Sequence, residues 1–313
     1  MMKIVKPQVV ELTYDKNTAV NHIARCARIC TGHPLTGGLT ESEKDARTVN
    51  NLIKSKHNSV FRHWIHYIKF RNDIYPEIYQ IARIIQNAPQ VQLRNTGYLT
   101  LMTFNHNVVI DYPLYCEALL KFEVSLEEFV NTEYAEDLRC FTFACRTQIS
   151  TSRELNRVSP NAIVERSTRY VEEGTICQPH WFTSNYDEYY YKYDYECKCH
   201  YFIGKGDDNW HPFANFPIIL NKYNQPQLQR YLLNAYESFN SYSALINEKM
   251  AKEDARGLLP LDTMTVVIYT YSLAEWRRII DNRYYGITGR PHPNCVIIAG
   301  GIKKLINEYG YEL

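Results

Sequence analysis

The segment Cys140–Ser159 constrains this chain most, because its hydrophobic period changes there from two to a helical one. Cys140–Thr147 reads CFTFACRT, with Phe141, Phe143 and Cys145 alternating with smaller or polar residues, which predicts a strand. Ser150, Thr151 and Ser152 are candidate N-caps for the helix that follows, and Glu154 suits its first turn. Pro160 and Asn161 stop that helix at about Ser159. Ser152–Tyr170 then concentrates four arginines (Arg153, Arg157, Arg166, Arg169), two carboxylates (Glu154, Glu165) and four hydroxyls (Ser152, Ser159, Ser167, Thr168). A strand–helix–loop crossing of this kind sets Arg forks and exposed N–H groups beside hydroxyls, as a phosphorylated ligand requires. By composition alone, a solvated and salt-bridged helix face accounts for the same charges.

With 313 residues there is material for one large domain or two ordinary ones. The formal charge of +1 carries no global footprint of a nucleic-acid binder. Nine cysteines, an odd number without a regular framework, point to free thiols in a reducing compartment. No apolar run reaches membrane-spanning length and no signal-like segment heads the sequence, so a cytoplasmic protein without a membrane partner is expected.

In chain order, Val5–Thr13 reads as a strand and Thr18–Cys30 as a helix carrying Val20, Ile23, Ala24, Ala27 and Cys30 on one side. A loop Thr31–Thr40 leads to a helix that starts around Thr40–Glu43 and ends near Lys56. Tyr98–Ile110 reads as a strand pair and Tyr115–Val130 as a helix. Thr183–Asp208, rich in tyrosine, acid and lysine, reads as a surface insertion with an aromatic skin. Its Cys197, Cys199 and His200 have the chemistry of a metal site, but three ligands without a second Cys pair predict no metal. Aromatics interleaved with lysine can stack on single-stranded nucleic acid, yet the tract is at least as acidic as basic, so no nucleic-acid partner is expected. Gln227–Met250 repeats apolar residues at steps of three and four, a core helix, and Leu273, Trp276, Ile279 and Ile280 do the same in SLAEWRRIIDNR.

Four ordered segments resemble the flavin-dependent thymidylate synthases. The family signature is Arg-His-Arg, seven residues, Ser, one residue, Arg-Tyr; Arg157, Ser167 and Arg169-Tyr170 match it without a gap. Glu154-Leu155 matches the pair that often precedes it, and Glu165 its internal acid. Val158 and Ser159 stand where the family has His and the second Arg. KHNSVFRHWIHYIKF is similar to Gly-His-x-Ser-x-x-Glu-His before a strand, through His57, Ser59 and His63; Lys56 replaces the Gly and Arg62 the Glu. DARGLLP resembles Ala-Arg-x-x-Leu-Pro and supplies Arg256. Arg283 falls on the arginine that polarises the pyrimidine, and His292-Pro293 on the His-Pro of longer members.

The resemblance implies an α/β (α+β) fold with a central, mainly antiparallel or mixed sheet flanked by long helices. It implies one domain over 1–313 with insertions at about 71–139 and 183–226. It implies methylation of dUMP at C5 to dTMP without a cysteine nucleophile, with methylenetetrahydrofolate as carbon donor, FAD as cofactor and NADPH as reductant. Glu154, Glu165, Ser167, Arg169, Arg256 and Arg283 would hold dUMP, with Arg283 the catalytic residue. His57, Ser59, His63, Arg157 and His292 would hold FAD, and a homotetramer would share its sites between subunits. The departures at Val158 and Ser159 leave open a sister flavoenzyme acting at C5 of another pyrimidine nucleotide (hydroxymethylating it, or using UMP or dCMP), or a nucleotide-binding relative without flavin.

Overall fold

The strand predicted at Cys140–Thr147 runs from Cys140 to Gln148 in the computed structural model, which describes residues 1–33, 42–159 and 162–313. The expected loop from residue 34 to Thr40 and the Pro160-Asn161 stop lie outside the described residues. Cys140–Gln148 pairs antiparallel with Met264–Ser272 over its whole length, Cys140 opposite Ser272 and Gln148 opposite Met264. Gln8–Glu11 and Ile163–Glu165 flank this pair in a four-stranded antiparallel sheet.

Both faces of that sheet are covered, so every residue of Met264–Ser272 is buried. On one face Ala144, Val266 and Ile268 meet Ile23, Ala24 and Ile29 of the helix Ala19–Cys30. On the other, Phe141, Phe143, Cys145, Val267 and Tyr269 meet Trp276 and the helix Pro293–Asn307 through Ile298 and Ile302. The split of Phe143 from Ala144, and of Val267 from Val266, is the period of two expressed as two cores. Trp276 meets Phe143 edge-on at 5.2 Å, a geometry that adds about 0.5–1.5 kcal/mol beyond burial. Gly301 lets its helix press on the edge strand, since a Cβ there would lie 2.9 Å from Val9.

A five-stranded sheet runs His211–Pro212, Cys199–Gly204, Glu188–Asp194, Met2–Val5, Thr175–Cys177, with only the last pair parallel. The fold class is therefore mixed α/β with a mainly antiparallel central sheet, as expected. The Tyr-rich tract corrects its expectation of an aromatic skin. Tyr189, Tyr191 and Phe202 are fully buried against Leu228, Leu232 and Phe239 of the 23-residue helix Gln225–Asn247. Alternation, with Tyr190 and Lys192 on the opposite face, makes the tract half core.

Other boundaries shift for local reasons. The expected strand Val5–Thr13 splits into Met2–Val5 and Gln8–Glu11 around Pro7, which cannot donate to a ladder. In place of a strand pair over Tyr98–Ile110, Leu99–Asn105 is one strand between Ile65–Arg71 and Gln92–Asn95. Asn105 then caps the helix His106–Asp111 by accepting from the Val108 N–H. Tyr115–Val130 is two helices, Pro113–Leu120 and Leu126–Val130, the second capped by Ser125. The helix after Cys140–Gln148 begins at Ile149 with Gln148 as N-cap; Ser150, Thr151 and Ser152 lie inside it, and Glu154 falls past its first turn. No described helix is long and apolar enough to cross a membrane.

Candidate functional site

The helix Ile149–Asn156 carries Ser150, Arg153, Glu154 and, one residue beyond it, Arg157 at steps of three and four, which sets them on one face. That face borders two adjoining cavities. The larger, about 590 Å³, is lined by Arg153, Glu165, Arg166, Ser167, Thr168 and Arg256, among others. The second, about 350 Å³, is lined by Ser150, Arg153, Glu154, Arg157, Leu261 and Arg283. Arg153 and Leu261 belong to both. Cations from three separated segments thus meet around one space. No family motif names Arg153; its spacing of one helical turn from Arg157 is the sequence signal for it.

Glu165 is fixed on the inner wall. Its Oε1 accepts from Ser152 Oγ at 2.8 Å and from Thr265 Oγ1 at 3.0 Å. Burial raises its carboxyl above the ordinary range, against those two bonds and the nearby Arg153. Arg166 is paired with Glu173 through two bonds of 3.0 and 3.2 Å. Burial outweighs that pairing and pushes Glu173 up to about 7. Arg256 donates to Thr168 Oγ1 at 3.4 Å, and exposed Arg169 pairs with Glu253 outside the cavity lining.

Arg283 lies in a π-helical turn, Asp281–Tyr285, that follows the helix Leu273–Ile280. Gly286 ends the turn at φ +73°, where a Cβ would meet Pro291 at 2.7 Å. The wider turn brings Arg283 to the second cavity, with its Nε donating to the Glu154 carbonyl at 3.0 Å. Below, the Cys295 thiol donates to Glu154 Oε2 at 3.4 Å, and burial pushes that thiol up to about 12.

The remaining candidates lie apart from these cavities. His57 is exposed and hydrogen-bonded to Ser55 Oγ at 2.7 Å, and Ser59 is exposed on the 3-10 turn Asn58–His63. His63 is fully buried, with Nδ1 2.8 Å from Thr270 Oγ1. His292 accepts from the Asn294 N–H at 3.2 Å and caps the helix Pro293–Asn307. Val158 packs on the second core and Ser159 is 3% exposed, its carbonyl accepting from the Tyr271 hydroxyl. Ser159 borders a further cavity of about 260 Å³ together with Arg62, Gln90 and Arg278. Gln90 Nε2 is buried there without a partner among the described residues.

Two solved structures of the UMP/dUMP methylase PolB from Streptomyces cacaoi align with nearly the whole chain. The one bound with 5-Br dUMP covers 97% of this chain and 92% of its own, at 16% identity and a TM-score of 0.42. The one bound with 5-Br UMP covers 98% and 92%, at 14% identity and a TM-score of 0.43. No curated protein matches the sequence. The family described as Thymidylate synthase complementing protein (Thy1) matches residues 137–297, which span the helix with Arg153 and Arg157, the segment Glu165–Arg169, Arg256 and Arg283. The chain belongs to that family.

Proposed function

We propose that this chain methylates a pyrimidine nucleotide at C5, converting dUMP to dTMP with methylenetetrahydrofolate as carbon donor and NADPH as reductant. The observation that carries the reading is the meeting of Arg153, Arg157, Arg256 and Arg283 with Glu154 and Glu165 around two joined cavities. Phosphate fits the larger cavity, where Arg153 and Arg256 offer forks and Ser167 and Thr168 hydroxyls. The base then falls in the second. There Arg283 stabilises negative charge developing on the ring, a preorganised role worth several kcal/mol in comparable sites. Glu154 and Glu165 accept from the nucleotide, and Arg169 at the rim adds long-range attraction.

FAD is the cofactor of this reading; when bound and reduced, it would supply the hydride that completes the methyl group. The cavity beside Ser159 offers an anionic cofactor Arg62 and the Gln90 Nε2 donor, while Arg278 there is already paired with Glu275 of the same lining, a pair the cofactor would have to displace. Arg157, exposed His57 and Ser59, and His292 remain candidates for the same cofactor at a subunit boundary. A homotetramer is part of the proposal, because within one subunit the arginine cavities open to solvent. Light scattering that finds a stable monomer would remove it.

Half-buried Val158 and buried Ser159 stand where the flavin motif has His and Arg, which favours a second reading, a sister enzyme on another pyrimidine nucleotide. One assay separates them. Protein supplied with FAD, NADPH and methylenetetrahydrofolate is given dUMP, UMP or dCMP, and products are identified by mass. The first reading expects dTMP. Product from UMP or dCMP alone selects the second, and no product from any of the three overturns both.

A further inference from the structure

The turn Tyr195–Lys198 joins the strands Glu188–Asp194 and Cys199–Gly204 and sets two thiols side by side. Asp194 Oδ1 accepts from the Glu196 and Cys197 N–H groups at 2.9 and 3.4 Å, which pins the turn. Lys198 takes a left-handed conformation, φ +54°, folding Cys199 back toward Cys197. The Cys199 thiol donates to the Cys197 carbonyl at 3.2 Å, and the Cys197 sulfur is hydrogen-bonded to the Tyr201 hydroxyl at 3.8 Å. His200 points the other way, its Nδ1 2.8 Å from the buried Tyr191 hydroxyl, so the thiols stand without it.

Cys197 differs from the other eight cysteines in its exposure, and Cys199 shares its turn. Cys197 is exposed and Cys199 half-buried, whereas Cys26, Cys30, Cys116, Cys145, Cys177 and Cys295 are buried and Cys140 is half-buried. Burial pushes Cys26, Cys140 and Cys295 up to about 12 and Cys116 to about 11, which leaves them protonated and inert. The Cys197 side chain is the leading cause holding the Cys199 proton on, and it also raises Tyr201 to about 12. If Cys197 ionises, its sulfur can only accept, and the Tyr201 hydroxyl is in place to donate to it.

We propose that Cys197 and Cys199 form a reversible dithiol site whose substrate is a low-molecular-weight disulfide. Cys197, as thiolate, attacks one sulfur of the small disulfide; a mixed disulfide forms and one small thiolate leaves. Cys199 then loses its proton and attacks the Cys197 sulfur, expelling the second small thiolate and closing the Cys197–Cys199 bond. Two protein thiols are oxidised, one small disulfide is reduced to two thiols, and the two protons pass to the products. A ring closed across one intervening residue is strained, so the bond is readily reduced again.

The test treats the folded full-length protein with oxidised glutathione and counts remaining thiols by alkylation and peptide mass. The expected result is loss of two of the nine thiols, both in the peptide with Cys197 and Cys199, with that peptide two mass units lighter. Reduced glutathione in excess should restore both. Cys199→Ser should stop at a stable glutathione adduct on Cys197, and Cys197→Ser should lose the reaction while circular dichroism stays unchanged. No thiol loss in the folded protein overturns the site, as does a persistent glutathione adduct on Cys197 in the unaltered sequence.

Discussion

The arginine cavities and the buried His63 behind the central sheet both carry residues that match the family motifs, and they are opposite environments. In the first, Arg153 and Arg157 are exposed and Arg283 half-buried around open space. In the second, the His63 carbonyl is 3.0 Å from His22 Nε2, the His63 ring is bonded to Thr270, and Thr270 to Thr142 at 2.7 Å. Tyr14 stacks on His22 at 4.0 Å. Burial drives both histidines down to about 3, so they are neutral hydrogen-bonding members of a core at ordinary pH. A motif match therefore marks residues that the fold holds in register; whether they face a ligand depends on which side of the sheet they occupy.

The contrast breaks most sharply at Arg283. Arg283→Ala should lower single-turnover flavin oxidation, measured with dUMP and the folate donor, by about 10²-fold or more while the melting temperature holds. Arg283→Lys should recover little, since a point charge does not reproduce a planar fork. A near-normal rate in the alanine variant would move Arg283 to the structural side of the comparison.

His63→Ala should do the reverse. Removing a buried partner of Thr270 should cost about 1–3 kcal/mol, read as a lower urea midpoint, with turnover of the folded fraction retained. Unchanged stability with lost flavin retention would place His63 with the arginines.

The pH response sharpens the same point. His22 and His63 titrate near 3 when folded and near the ordinary 6.5 when unfolded. Between those values the unfolded chain binds more protons, so stability present at neutral pH is lost as pH falls through that window. His63→Gln should flatten the fall in thermal midpoint between pH 6.5 and 4. An unchanged slope would assign the acid response to other groups.

Arg169→Ala is expected to have the smallest stability effect. Its pair with Glu253 is about half exposed on both sides, and such pairs contribute about 0.2–1 kcal/mol. A larger loss in thermal denaturation would mean that the loop after Ile163–Glu165 depends on it.

Much of this was legible beforehand where periodicity was strong. Cys140–Gln148, the helix Ala19–Cys30 and the helix Gln225–Asn247 lie within two or three residues of their expected bounds, because burial on a defined face dictates their spacing. The Tyr-rich tract misled because tyrosine suits a core and a surface equally, and only pairing with Met2–Val5 decides which rings turn inward. The N-cap choice among Ser150, Thr151 and Ser152 failed because Ser152 and Thr151 spend their hydroxyls inside the fold, on Glu165 and Gln148. Arg153 is named by no motif, and only helical spacing places it between the cavities.

The bond from Arg283 Nε to the Glu154 carbonyl has a consequence for the field at the second cavity. A carboxylate would orient the guanidinium equally well but would cancel most of its charge at a distance. A backbone oxygen brings only a dipole, so the side chain is oriented and its monopole survives. Whatever occupies that cavity faces a guanidinium already fixed in direction, whose charge is offset by the Glu154 carboxylate in the same lining and not by the group that orients it.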